Sequence, residues 1–375
     1  MEPDAKEQFG EQIERAERLE RLRDLRDRLH DTLGDDLLHA DPLRWNEELN
    51  ELHDRLIRQT VRLAERALRD EGMGAPPAPY AFVLFGSGGR GEQTLWSDQD
   101  NGLIYGDAEA VGEATAAETY FRALADCISR GLEILGYPPC TGNVLATNGR
   151  WRKPLGGWKR MIDSWFDAPD WENVRYLLIQ ADLRCVAGDA RLAGELKRYY
   201  LRRVAEAPSI LEGMLKNTLH RKVSLGPFGQ LIRERFGEHA GGVDVKYGAY
   251  IPFINGIRLL AIRYGIACAS TAGRIGELAR QGRAEAERTD EWLRALALLI
   301  KLRALTPVKK SGNTYSSEGK LPAEMLTPRV VEELKTCLRA GGALQKEVKR
   351  TIGRALKYSA LQKRRGAQTS RAEER

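Results

Sequence analysis

Cysteine is scarce: Cys127, Cys140, Cys185, Cys268 and Cys337 are the only five in 375 residues, and no two stand close together. An odd number at that spacing excludes a zinc ribbon and fits a reducing, cytoplasmic compartment better than a disulfide framework. Histidine is as rare, and His30, His39, His53, His220 and His239 include no pair at helical metal-ligand spacing. Any metal must therefore sit on oxygen ligands. No apolar run approaches the roughly 20 residues that cross a bilayer, so no membrane span is expected. The amino-terminal stretch MEPDAKEQFGEQIERAERLE lacks the apolar core of a secretory signal, and its acids are wrong for a mitochondrial presequence.

With 42% hydrophobic and 30% charged residues the composition is that of a globular protein, and 375 residues suffice for two or three domains. The net charge of +6 is unevenly placed: from Lys346 to Arg375, ten Lys or Arg stand against three Glu, and the remainder is close to neutral. Such a basic end can touch RNA or phosphates weakly and in a salt-dependent way, but it reads first as a solvated tail, and nucleic acid is not the expected partner.

Residues 12–33 place Ile13, Ala16, Leu19, Leu22, Leu25 and Leu29 at helical spacing. A second helix is predicted from about Leu43 to Arg69, with Trp45, Leu49, Leu52, Leu56, Leu63 and Ala67 on one face and Asp41–Pro42 as its start signal. The two stripes suit packing against each other, with a dimerising coiled coil as the alternative. The prolines of GMGAPPAPY, residues 72–80, end the helical pattern. Then AFVLFG and NGLIYG read as buried strands, 108–135 as helix, 136–157 as an irregular segment, and LLIQADLRCVAGD at 177–189 as a further strand. Beyond Arg191 the pattern is helical over 191–206, 208–222, 251–264, 289–305 and 328–358. The expected units are an N-terminal helical region (1–75), an α/β unit (76–205), a C-terminal helical domain (206–357) and a basic, unstructured tail (358–375).

Chemistry concentrates in FGSGGRGEQTLWSDQDNGLIY. Asp98 and Asp100 alternate along an extended segment and so face the same way. Two adjacent carboxylates repel, and a divalent cation is the simplest relief. Oxygen-only ligation favours Mg2+ or Mn2+, with substrate phosphates completing the shell. Gly86 allows a sharp turn and close approach of a phosphate to the backbone, and Ser87 adds a hydroxyl donor. A third carboxylate is normally needed for two-cation chemistry. Asn143, Asn148, Arg152 and Lys153 form a polar cluster suited to a base or ribose, although shaping a turn is the favoured reading. Trp151, Trp158 and Trp165 recur every seven residues and are expected in the core. Asp244 and Lys246 read as a pair bracing a domain.

These residues closely resemble the nucleotidyltransferase motif of the DNA polymerase beta superfamily: a hydrophobic residue, Gly, Gly or Ser, a spacer, then Asp-x-Asp. Gly86, Gly89, Arg90, Gly91, Glu92, Ser97, Asp98 and Asp100 fall in the order and spacing of the protein-PII uridylyltransferase signature. CTGNVLATNGRW, Trp158, Trp165, ADLRCVAGD and VDVKYGAYIP are similar to an uncharacterised bacterial family of signal-transduction proteins, often fused to CBS and cyclic-nucleotide-binding domains, over roughly residues 43–350. The resemblance implies an α+β fold: a polymerase-beta-type nucleotidyltransferase domain, with a small mixed sheet and helices, flanked by N-terminal helices and a C-terminal helical domain. It implies Asp98 and Asp100 as catalytic metal ligands and Asp182, on the later strand, as the third, with Asp189 a weaker candidate. Gly86, Ser87 and Arg90 would bind the NTP, although Arg90 could equally pair with Glu92 or Asp98 to brace the loop.

The implied activity is transfer of a nucleoside monophosphate from UTP or ATP to a hydroxyl on a small molecule or protein, a PII-like regulator being the suggested acceptor. The rival expectation is a catalytically silent Mg-NTP sensor; a third, an RNA-directed enzyme, rests on the basic tail alone. Two departures stand out. Gln99 and Asn101 replace the apolar residues usual after each aspartate, predicting looser burial there, and Gly149 follows Asn148 where the family tends to have proline. No stretch of these residues resembles the fused regulatory domains of the family, and only helices are expected over 1–75 in their place.

Overall fold

The computed structural model describes residues 3–36, 40–226, 229–312 and 314–373. Three helices come first: α1 (Pro3–Glu14), α2 (Leu19–Asp36) and α3 (Pro42–Asp70). The helix expected over 12–33 is thus two helices. Nothing in the local sequence forbids continuity; folding back lets both pieces lay Ile13, Leu22, Leu25 and Leu29 against the long α3, which a single straight helix would touch over only part of its length. The stripes are buried within the chain, which leaves no seam for a coiled coil.

The start of α3 is as read: the Asp41 carboxylate accepts the Arg44 N–H at 2.9 Å and Pro42 opens the first turn. Trp45, Leu49, Leu52 and Leu56 are buried. Further along, the buried face rotates to Ile57, Val61, Ala64 and Leu68, leaving Ala67 exposed. An α-helix drifts against any fixed seven-residue stripe, and 29 residues are long enough for the drift to show.

The sheet holds four strands in the order β3 (Arg152–Pro154), β2 (Asn101–Tyr105), β1 (Tyr80–Leu84), β4 (Arg184–Gly188). The central β1 runs antiparallel to β2 and β4, and β2 is parallel to β3. Strand alternation sorts the core into two layers. Phe82, Leu84, Leu103 and Tyr105 face α3 and α5 (Val111–Ile134), while Ala81, Val83 and Ile104 face a larger cluster shared with the C-terminal helices. Both faces are covered, so the two central strands, β1 and β2, are buried along their whole length and largely apolar. Trp151, Trp158 and Trp165 are buried together in the second layer, as expected, although only the last two lie on a helix, α6 (Leu155–Asp167).

The segment read as a strand over 177–189 opens in helix over 177–180 and is strand only over 184–188. Asp170 accepts the Asn173 N–H at 2.8 Å and starts α7 (Trp171–Gln180), which carries Leu177 and Leu178 into the core before β4 begins. Asp182 therefore sits in the turn between α7 and β4 and not on a strand. The irregular reading of 136–157 holds up to Trp151; β3 follows over Arg152–Pro154, and α6 begins at Leu155. After a five-residue helix α4 (Gly86–Arg90) in the first half of the chain, the second half continues with α8 (Ala190–Glu206), α9 (Ile210–His220), α10 (Ile251–Arg263), α11 (Thr271–Arg280), α12 (Ala286–Ala304) and α13 (Pro328–Glu373). Of these, α11 has no counterpart among the expected helices; two glycines weaken its pattern, and its Ser270 cap starts it. Helix α13 continues to Glu373, through the segment expected to lack structure. Short strands β5 (Val243–Asp244) with β8 (Lys320–Leu321), and β6 (Lys309–Ser311) with β7 (Thr314–Ser316), complete the domain. Among the described residues no helix is long and apolar enough to cross a membrane.

Two histidines under the sheet give the fold a pH signature. His53 is bonded to the Tyr137 hydroxyl at 2.6 Å and lies 3.2 Å from the Thr94 carbonyl, and burial, then the Arg26 charge, push it down to about 3. His30, packed edge-on against Trp96, is held well below its ordinary value by the same causes, and neither ring nitrogen has a hydrogen-bond partner among the described residues. Both stay neutral when folded, whereas the unfolded chain takes up protons below about pH 6.5. Above that pH they add no slope. Below it stability falls by about 1.4 kcal/mol per pH unit for each. Urea unfolding of His30→Leu between pH 6.5 and 5 is expected to lose about one proton's worth of that slope; a slope equal to the parent's would contradict the assignment.

Candidate functional site

The pairing of β1 with β2 sets Leu84 opposite Asn101, so the residues that follow β1 lie beside those that precede β2. The Phe85 N–H donates to the Asp100 carbonyl at 2.9 Å. The chain then turns at Gly86, at φ +53°, where a Cβ would collide with the Asp100 carboxylate. Only glycine meets both demands. Gly89 allows a second close approach, since a Cβ there would strike the Asp182 backbone carbonyl.

Asp98 and Asp100 are half-buried, and the residues between and after them show which way they face. The Gln99 amide donates to the Tyr137 carbonyl at 2.9 Å, and Asn101 donates to Gln99 at 3.2 Å and accepts the Ala146 N–H at 2.8 Å. Gln99 and Asn101 are both buried, on the inner side, which turns Asp98 and Asp100 outward together. The looser burial expected from these two polar residues does not occur, because their hydrogen bonds are made. Burial, then the neighbouring Asp98, push the Asp100 carboxyl up to about 6. Two crowded oxygen donors of this kind fit a hard divalent cation.

A family model described as "Putative nucleotidyltransferase DUF294" matches residues 23–172, and one described as "Putative nucleotidyltransferase substrate binding domain" matches residues 208–352. The chain belongs to this nucleotidyltransferase family. No curated protein matches it. The first match takes in α2 and α3 as well as most of the sheet; β4, which completes the sheet, lies between the two matches.

In this nucleotidyltransferase two of the six expected site residues are engaged elsewhere. Asp182 is buried and bound by three guanidinium groups: Arg90 at 2.6 Å, Arg258 at 2.5 and 3.0 Å, and Arg274 at 2.9 Å. Burial pushes its carboxyl up, but Arg258, Arg90 and Arg274 outweigh that and hold it below the usual carboxylate range. Both oxygens already carry strong donors, so the structure does not present Asp182 to a cation beside Asp98 and Asp100. Arg90 is equally occupied, donating to Glu92 at 2.8 Å, to Asp182 and to the Tyr250 hydroxyl at 3.0 Å. Of its two readings the structure supports the brace, with Asp182 taking the place suggested for Asp98. Asp189, the weaker candidate, caps α8 and pairs with Arg191.

The polar cluster shapes a turn: the Asn148 side chain donates to the Asn143 carbonyl at 3.3 Å and accepts the Arg150 N–H at 3.0 Å, and Arg152 binds the Ala146 and Thr147 carbonyls. Asp244 does not brace Lys246; its carboxylate accepts the Tyr247 N–H at 2.7 Å. Cys140 is a neighbour the sequence did not reveal. A bridge between Gln99 and Pro139 sets it beside Asp100, and its thiol, pushed up to about 12 by burial and then by Asp100, hydrogen-bonds that carboxylate. Away from this site Glu238, His239 and Glu318 come together: the Lys309 ammonium binds both glutamates, and His239 lies 3.1 Å from Glu318.

Removing one member of a buried ion cluster leaves charge uncompensated and costs about 3–5 kcal/mol. Asp182→Asn is therefore expected to destabilise the chain by about that amount in metal-free buffer, read by urea unfolding. Unchanged metal-free stability would contradict the structural role assigned to Asp182.

Proposed function

We propose that the chain transfers a nucleoside monophosphate from an NTP to an acceptor hydroxyl, with Asp98 and Asp100 as the ligands of Mg2+ or Mn2+ and the Gly86–Ser87 turn as the seat of the phosphates. The observation that carries this is the contact of Gly86 with the Asp100 carboxylate: a phosphate on the turn and a cation on Asp98 and Asp100 would be neighbours. The first turn of α4 has N–H groups without intrahelical acceptors, and Ser87, half-buried, adds its hydroxyl. In the reaction the acceptor oxygen bonds to the α-phosphorus as the bond to the oxygen bridging to the β-phosphate breaks, and pyrophosphate leaves in line. A divalent cation bound there would neutralise the phosphates and ease loss of the hydroxyl proton. The turn holds the phosphates, while Gln99 and Asn101, fixed behind, keep the two carboxylates aimed at them. UTP or ATP as donor and a PII-like protein as acceptor are the finer reading that the motif resemblance favours.

One observation favours a second reading. Asp182, the carboxylate expected as third ligand, is locked by three arginines, which suits a module that binds Mg-NTP without turnover. The two readings separate in one assay. Given α-labelled UTP or ATP, Mg2+ and a lysate supplying acceptors, the chain should label a defined product, and Asp98→Asn should lower labelling on the order of 100-fold or more, since even outer-shell partners of a metal are worth 10–100-fold. Equal labelling by the variant would remove Asp98 from catalysis; binding without pyrophosphate release would favour the sensor.

A further inference from the structure

Two cations lie close enough to the Asp100 carboxylate for their charge to be felt there without contact, Arg90 and Lys246. Arg90 has no nitrogen to spare, because each one donates to a partner within the protein. Lys246 is in a different position. It is half-buried, its ammonium lies over the Tyr247 ring at 5.4 Å, and it makes no ion pair among the described residues. It comes from the C-terminal domain, the part of the chain that matches a substrate-binding model.

The backbone that carries Lys246 is built rather than loose. The Val245 and Lys246 N–H groups both donate to the Gly319 carbonyl at 3.0 Å. Gly319, at φ +72°, is packed against the lysine so closely that a Cβ would collide with the Lys246 side chain. Lys246 opens a π-helical turn, Lys246–Tyr250, a geometry that recurs at functional sites. The last residue of that turn, Tyr250, bonds both Arg90 and Glu92 at the end of the glycine turn. The element bearing the unpaired ammonium is therefore anchored to the segment that would seat the phosphates.

We infer that Lys246 completes the polyphosphate site from the second domain, its ammonium pairing with the β- and γ-phosphates of an NTP whose α-phosphate lies at Asp98 and Asp100. This rests on the nucleotidyltransferase reading of the Gly86–Ser87 turn and extends it. A lysine suits this role because it is a point charge on a flexible stem and can follow the phosphate chain. Bound substrate would then touch both domains.

Calorimetry with magnesium and inorganic tripolyphosphate tests this on the full chain without turnover. Lys246→Gln should weaken tripolyphosphate binding at least about tenfold, the scale of one charge-assisted hydrogen bond, and leave binding of a nucleoside monophosphate unchanged. Lys246→Arg, which keeps the charge, should bind tripolyphosphate within about threefold of the parent. The inference is overturned if Lys246→Gln binds tripolyphosphate as the parent does while Asp98→Asn does not, or if Lys246→Arg loses as much as Lys246→Gln. If Asp98→Asn also binds like the parent, the underlying reading of the carboxylate pair fails instead.

Discussion

The antiparallel pairing of β1 with β2 is the constraint on which the site depends. Because Leu84 faces Asn101, the chain leaving one strand and the chain entering the other must share the same few ångströms, and Gly86 meets Asp100 there. A register slip would turn every side chain to the opposite face and carry Asp98 and Asp100 inward. The hydrogen-bonded Gln99–Asn101 pair opposes it, because in the slipped register both amides would lose the Tyr137 carbonyl and the Ala146 N–H. The same polar pair that breaks the usual apolar pattern is thus part of what aims the carboxylates.

Behind the turn lies a second, separate use of charge. Arg90, Glu92, Asp182, Arg258 and Arg274 are buried together, with the Tyr250 hydroxyl and the Thr271 N–H completing the shell of Glu92. These residues come from the glycine turn, the α7–β4 turn, α10 and α11, so the cluster joins the sheet to the C-terminal helices. Buried ions are costly unless paired and fully hydrogen-bonded, and here nearly every donor and acceptor is matched. The end of the phosphate turn is consequently held against the second domain, and a change at either side would be felt at the other.

Much of the outline was legible from residues. The Asp41–Pro42 start of α3, the strands on either side of the glycine turn, the outward-facing Asp98 and Asp100 and the buried tryptophans all follow from local rules of capping, alternation and size. What was not legible is long-range. Asp182 has the right identity for a metal ligand, and only the arrival of Arg258 and Arg274, remote in sequence, shows it to be a structural anion. Cys140 reaches Asp100 through a bridge across the irregular segment that no period announces. Lys246 looked like half of a local pair with Asp244 because the two are neighbours in sequence, whereas the aspartate serves the Tyr247 backbone. The break after α1 and the expected strand that opens in helix have the same origin: tertiary contacts and a cap outweighed a run of apolar residues.

Function in this chain turns on whether the Asp98–Asp100 pair and the Gly86 turn form one phosphate-and-cation site. A crystal structure with Mn2+ and a non-hydrolysable NTP tests it most directly, since anomalous scattering locates the cation. Mn2+ is expected on oxygens of both Asp98 and Asp100 and on a phosphate oxygen seated at residues 86–87, with Asp182 still held by its arginines. A cation bound at Asp182, or a triphosphate lying away from the glycine turn, would contradict it.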